Sequence, residues 1–190
     1  MNMKGWQDLN ERIVSCQLCP RLVAWREEVS RMKKRAYRDW NYWGKPVPGF
    51  GDEKARILII GLAPGAHGSN RTGRMFTGDA AGVFLYRALC KNGFANQTTA
   101  TNREDGLQLN DIYISAICRC VPPDNQPTQS EILNCQPYLL EEIELLTTLQ
   151  GIITLGGLAY KRLQAIYASR FSRKLSVRFA HGNFIPAEKN

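Results

Sequence analysis

The chain has 190 residues, with 25 Lys and Arg against 17 Asp and Glu, a formal net charge of +8. This length predicts one domain with a sizeable core, and the charge favours a polyanionic partner such as nucleic acid. No apolar run approaches the 18 residues of a membrane span, and the first 13 residues carry no signal-peptide apolar region, so a cytoplasmic protein that crosses no membrane is expected.

Leu9 to Val29 alternates apolar residues at helical spacing with charges. Inside it lies Cys16-Gln17-Leu18-Cys19-Pro20, a CxxC that suits zinc, an iron–sulfur cluster or a redox pair. No βαβ pattern precedes it, which argues against thioredoxin-like chemistry. Arg21 to Lys45 holds eight basic residues against three acids, interleaved with Tyr37, Trp40, Tyr42 and Trp43. It reads either as a solvated basic helix with its aromatics on the core, or as an edge that faces DNA. Lys45 to Gly49 is a loop. Ile57 to Ile60 reads as a buried parallel strand.

Gly61 to Asp79, GLAPGAHGSNRTGRMFTGD, follows directly and contains five glycines. A plain strand-to-helix connection runs about two to six residues, and a loop this long at the carboxyl end of a strand is where open α/β sheets bind ligands. Arg71 and Arg74 are candidate phosphate contacts, and Phe76 offers a flat face. Asp79 is a proton-handling group, a helix N-cap, or both. Neither GxxxxGK[ST] nor GxGxxG fits the glycine spacing.

Ala80 to Cys90 reads as a helix with Gly93 as its stop and Cys90 as a buried free thiol. Phe94 to Leu109 reads as an exposed polar loop. Asp111 to Ile117 is a second strand, followed by the proline loop Cys118-Arg119-Cys120-Val121-Pro122-Pro123-Asp124-Asn125. Thr128 to Glu131 is a capping box opening a helix, in which Pro137 is expected to make a kink or mark the effective start. Gly151 to Leu155 is a third strand, and Leu158 to Tyr167 a helix. Arg170, Arg173, Lys174 and Arg178 form a basic tail region. Strands alternating with helices predict an α/β fold, a three-layer α/β/α sandwich on a central, mostly parallel sheet with these three as neighbouring inner strands. Cys16 and Cys19, with Cys120 and Cys135 fifteen apart, supply four thiolates. These suit an all-cysteine zinc site or a [4Fe–4S] cluster, and spacing alone leaves both open. In a reducing compartment such ligation is favoured over disulfides.

The central loop resembles the first motif of the family 5 uracil-DNA glycosylases, GLAPAAHGGNRTGR-FTGD, at nearly every position. The likeness extends upstream to Pro48-Gly49-Phe50-Gly51-Asp52. The resemblance implies a single uracil-DNA glycosylase-like domain over residues 1–190. Such a protein would be a monomeric DNA repair enzyme that cleaves the N-glycosidic bond of uracil and other deaminated bases in DNA, the first step of base excision repair. It implies a [4Fe–4S] cluster on Cys16, Cys19, Cys120 and Cys135, with Cys120 favoured over Cys118 by the Pro-Pro after Val121. It places Phe76 against the base and the Gly61-Leu62-Ala63-Pro64-Gly65 backbone, with His67, around its edge. Asp79 would activate water and Asn125 would hold the water or base, while Arg71 and Arg74 would meet the substrate's phosphates.

Leu62 stands where family 4 carries Glu, and Ala116 where family 4 carries an Asn that reads uracil. The second change implies relaxed base selection. Phe179-Ala180-His181-Gly182 resembles the family segment upstream of an HPS motif, and no HPS follows before Asn190. Two expectations follow: a C-terminally incomplete glycosylase domain, or an iron–sulfur protein that binds DNA damage with little turnover. A zinc adaptor for nucleic acid fits the charge but not the central loop.

Overall fold

The computed structural model describes residues 3–171 and 177–186. Its elements, in chain order, are α1 (Met3–Ser15), α2 (Pro20–Met32), β1 (Phe50–Gly51), β2 (Ile57–Gly61), α3 (Ser69–Thr72), α4 (Ala80–Lys91), β3 (Ile112–Ala116), α5 (Gln129–Leu145), β4 (Gly151–Thr154) and α6 (Gly157–Phe171). Short 3-10 turns occupy Arg35–Tyr37 and Pro123–Asn125. The sheet order is β1-β3-β2-β4. β2 pairs in parallel with β3 and β4, so that Ile59 faces Ile114 on one side and Ile153 on the other, and β1 adds antiparallel to β3.

Side-chain alternation assigns the layers. Leu58, Ile60 and Tyr113 point to one face, packed with Trp6, Leu9 and Ile13 of α1, Ile132 and Leu139 of α5, and Ala159 and Ile166 of α6. Ile59, Ile112, Ile114 and Ala116 point to the other, with Met75 and with Tyr86 and Leu89 of α4. Strands apolar on both faces are what a sheet covered on both sides requires. The α/β architecture and the adjacency of the three strands agree with the sequence reading, but β4 lies at the edge of the sheet among the described residues rather than inside it, with Ile153 exposed. No helix among the described residues is long and apolar enough to cross a membrane.

Four local readings change. The single periodic stretch from Leu9 to Val29 is two helices, broken at 16–19, with Pro20 opening α2 where its missing N–H costs nothing. Pro137 does not start a helix: α5 runs through it, opened by the capping box in which Glu131 N–H reaches Thr128 Oγ1 at 3.3 Å and Thr128 N–H reaches Glu131 Oε2 at 2.7 Å. The 94–109 stretch is a loop, but Ala95, Ala100 and Leu107 are buried in the α4-side core. Cys90 is half-buried at the edge of that core. Arg178 is exposed, whereas Arg173, Lys174 and the side chain of Arg170 lie outside the described residues.

Candidate active site

β2 ends at Gly61, and the loop that follows folds back over the strand end. The Phe76 ring lies against Gly61 so closely that a Cβ there would meet its Cζ at 2.7 Å. Phe76 holds φ at +52°, a left-handed conformation uncommon in a residue of this size. Strain of this kind concentrates at ligand sites, where the surroundings enforce it. Asp79 caps α4: its Oδ1 accepts from Gly82 N–H at 2.8 Å. Its Oδ2 makes no hydrogen bond among the described residues and sits over Gly65 and Gly68, where a Cβ on Gly68 would collide with it. The N–H groups of Ala63, Gly65 and Ala66 donate to nothing among the described residues. An aromatic face, an unengaged carboxylate oxygen and unengaged backbone donors thus share one loop. β3 lies beside its start, since Ile117 N–H reaches Gly61 O at 3.0 Å and Cys118 N–H reaches Leu62 O at 2.9 Å. Ala116 pairs with Gly61 and is buried.

The two loop arginines do not face outward, which revises the phosphate-contact reading. Arg71 is 4% exposed. Its Nε donates to His67 O at 2.6 Å and its Nη2 to Gly78 O at 3.0 Å, and the guanidinium lies against both Tyr37 and Trp40, at 3.9 and 4.1 Å from the centres of these nearly perpendicular rings. Arg74 is also 4% exposed and makes a two-pronged ion pair with Asp105, at 2.9 and 2.7 Å, plus a bond to Thr77 Oγ1. A loop of this length leaves many carbonyls without partners; Arg71 satisfies two of them from within, and Arg74 ties the loop to Asp105. His67 is half-buried with Nδ1 3.1 Å from Tyr42 Oη. Burial, then Lys34 and Arg71, hold its pKa below the ordinary histidine value.

The basic segment is tied to this loop through the Tyr37–Arg71–Trp40 stack and through Tyr42. Lys34, Arg35, Arg38 and Lys45 are exposed along it. Arg21 instead pairs with Glu131, and Arg26 is buried. Asn125 is exposed at φ +56°, and its side chain has no hydrogen-bond partner among the described residues. The structure does not join it to the loop.

Cys16, Cys19, Cys120 and Cys135 line one small cavity, and Cys118 is not among the lining residues. Arg26 Nη1 donates to Cys120 Sγ at 3.1 Å, and Asn134 Nδ2 to Cys19 Sγ at 3.4 Å. Burial pushes the Cys120 thiol up to about 12 and raises that of Cys19. Cys118 and Cys135 share a hydrogen bond that raises the first thiol and lowers the second. Among the described residues no three His, Cys, Asp or Glu side chains converge closely enough for a single metal ion. A lone tetrahedral zinc needs its sulfurs at about 2.3 Å from one point. Thiols ringing a cavity, with N–H donors aimed at sulfur, fit a polynuclear cluster better. Sequence reasoning missed the roles of Arg26, Asn134 and Arg119 here, because nothing in their spacing marks them. Tyr42 and the Tyr37–Trp40 pair carried a signal in the aromatic interleaving.

A profile of the uracil DNA glycosylase superfamily matches residues 48–188. The type-5 uracil-DNA glycosylase of Mycobacterium leprae is 50% identical over 179 residues, covering 92% of this chain and 76% of that protein. The type-5 enzyme of Pyrobaculum aerophilum is 40% identical over 185 residues, covering 97% of this chain and 78% of that protein. The type-4 uracil-DNA glycosylase of the same organism is 32% identical over 165 residues, covering 86% and 67%. With a profile match over most of its length and type-5 likeness above type-4, this chain belongs to the uracil-DNA glycosylase superfamily.

Proposed function

We propose that this protein hydrolyses the bond between N1 of uracil, or another deaminated base, and deoxyribose C1′ in DNA. The observation that carries this reading is the single loop on which Phe76, Asp79 Oδ2 and three unengaged N–H groups lie together. The target base must leave the stack before any side chain can reach its glycosidic bond. Phe76 then supplies the flat face against which the extruded base lies. The N–H groups of Ala63, Gly65 and Ala66 donate to base oxygens as negative charge builds on the leaving base. Asp79 is fixed at one oxygen by Gly82 and orients or deprotonates water with the other, while its charge favours the cationic sugar. Asn125 is assigned to the water or base from its motif, its exposed left-handed position being suited to meeting a ligand. The small Ala116 side chain beside Gly61 offers no hydrogen bond to read uracil's edge, consistent with a broad choice of deaminated bases.

DNA lies along the half-buried Lys33 and the exposed Lys34, Arg35, Arg38 and Lys45, which meet phosphates. Cys16, Cys19, Cys120 and Cys135 hold a [4Fe–4S] cluster, which when bound cross-links the α1–α2 break to the segment leading into α5. Cys118 remains a neighbour of Cys135 and not a ligand. We place the protein in the cytoplasm as a monomer. The test is release of free base from a duplex carrying one uracil. Chromatographic recovery of uracil, reduced by Phe76→Ala through weaker capture of uracil DNA, supports the reading. DNA binding with no base released would leave a damage-binding protein instead.

A further inference from the structure

Two arginines are buried with N–H groups that find no partner among the described residues. Arg26 of α2 is 3% exposed, and Arg119, just before Cys120, is 1% exposed. Both line the cavity ringed by the four cysteines. Arg26 Nη1 donates to Cys120 Sγ at 3.1 Å and to Cys16 O at 3.3 Å, while its Nε has no partner. Arg119 Nη2 donates to Glu142 at 2.5 Å, while its Nε and Nη1 have none.

A guanidinium keeps its charge in proteins and carries five N–H donors. Burying one without an anion is strongly unfavourable. Glu142 answers one of these two charges and also accepts from Ser115 at 2.6 Å. Glu131, the other buried carboxylate, belongs to Arg21. Among the described residues no carboxylate pairs with Arg26. The cavity wall therefore carries an excess of positive charge and unused donors, and it calls for an anion with several acceptor atoms. Four thiolates around an iron–sulfide core are such an anion, with sulfur acceptors on every side.

We propose that Arg26 and Arg119 are the counter-ions and sulfur hydrogen-bond donors of the iron–sulfur cluster, setting how firmly it is held and the potential at which it is reduced. This rests on the cluster assignment made above. Partners of metal ligands that lie one layer out typically change metal affinity by about 10–100-fold when altered. Net charge and hydrogen bonds to sulfur set cluster potentials.

The experiment compares the full chain with Arg26→Gln, Arg26→Lys and Arg119→Lys, all purified without oxygen. It measures iron and sulfide per chain, bleaching of absorbance near 400 nm under an iron chelator, and the midpoint potential. Arg26→Gln should bleach about 10–100-fold faster and shift the potential to more negative values, since a lost positive charge disfavours an added electron. Arg26→Lys should bleach at an intermediate rate with a potential near that of the unaltered protein, because charge is kept and the fork is lost. Arg119→Lys should behave likewise. An unaltered chain that binds no iron sinks the cluster assignment and this inference together. An iron-loaded chain whose variants bleach and reduce as it does sinks this inference alone. If both Arg26 variants lose their native helical circular dichroism, Arg26 supplies packing rather than charge, and the proposal also fails.

Discussion

Arg71→Met separates two accounts of the most basic part of the site. In the structure this side chain bridges both ends of the loop, from His67 O to Gly78 O, and fills the gap between Tyr37 and Trp40. Each hydrogen bond from a charged donor contributes about 1.5–3 kcal/mol, and a desolvated stack on an aromatic ring about 1–2 kcal/mol. These terms share one side chain and do not simply add. A loss of about 3–5 kcal/mol is expected, at the top of the range for single substitutions. Arg71→Lys should lose less, about 2 kcal/mol, because one ammonium cannot reach both carbonyls. Urea unfolding followed by circular dichroism gives the stability. DNA binding across a salt series gives the number of phosphates neutralised. The logarithmic salt slope should stay unchanged in Arg71→Met, since the buried guanidinium meets no phosphate. A stability loss under about 1 kcal/mol, together with a slope flatter by about one unit, would show that Arg71 faces DNA after all.

Neutralising Lys33, Lys34 and Arg35 together should flatten that same slope by roughly two to three units, and an unchanged slope would move the DNA path elsewhere. Cys120→Ser should purify colourless while Cys118→Ser stays brown, with iron content as the check; the reverse result would exchange the two cysteines as ligands. Burial would raise the Asp105 carboxyl, but the Arg74 guanidinium and the N–H groups of Thr101 and Leu107 outweigh it and hold the pKa well below the usual carboxylate range. Its contribution to stability is therefore complete above the unfolded carboxylate value, about 4, and is lost as pH falls below it. Urea midpoints should drop through that acid range in the unaltered chain, and Asp105→Asn should start lower and show a shallower drop.

The strands were legible because β2, β3 and β4 are short apolar runs bounded by turn residues, and a doubly covered sheet leaves that signature. The central loop was legible as a site from its length and glycines. Asp79 was read both as cap and as acid–base group, and one carboxylate oxygen is indeed spent on the cap. The burial of Arg71 and Arg74 was not legible, because a charge in a ligand loop looks the same in sequence whether it meets a ligand or the protein's own carbonyls and carboxylates. The break between α1 and α2 was hidden because the residues around Cys16–Cys19 keep helical periodicity on both sides. Pro137 misled for the opposite reason: packing of Cys135 and Leu139 into the core carries α5 past a residue that disfavours it. The buried Arg119–Glu142 pair links residues 23 positions apart, and no local pattern announces such a contact.

The most direct test of the account is single-turnover excision by Asp79→Asn on an oligonucleotide with one uracil. Asn keeps an oxygen for Gly82 N–H and is as good an N-cap as Asp, so α4 and the loop should hold. DNA affinity should stay close to that of the unaltered chain. The excision rate should fall by roughly two to four orders of magnitude, the worth of a positioned acid–base group. An Asp79→Asn protein that binds uracil DNA and releases the base at the unaltered rate would contradict the assignment of Asp79 Oδ2 as the group that activates water.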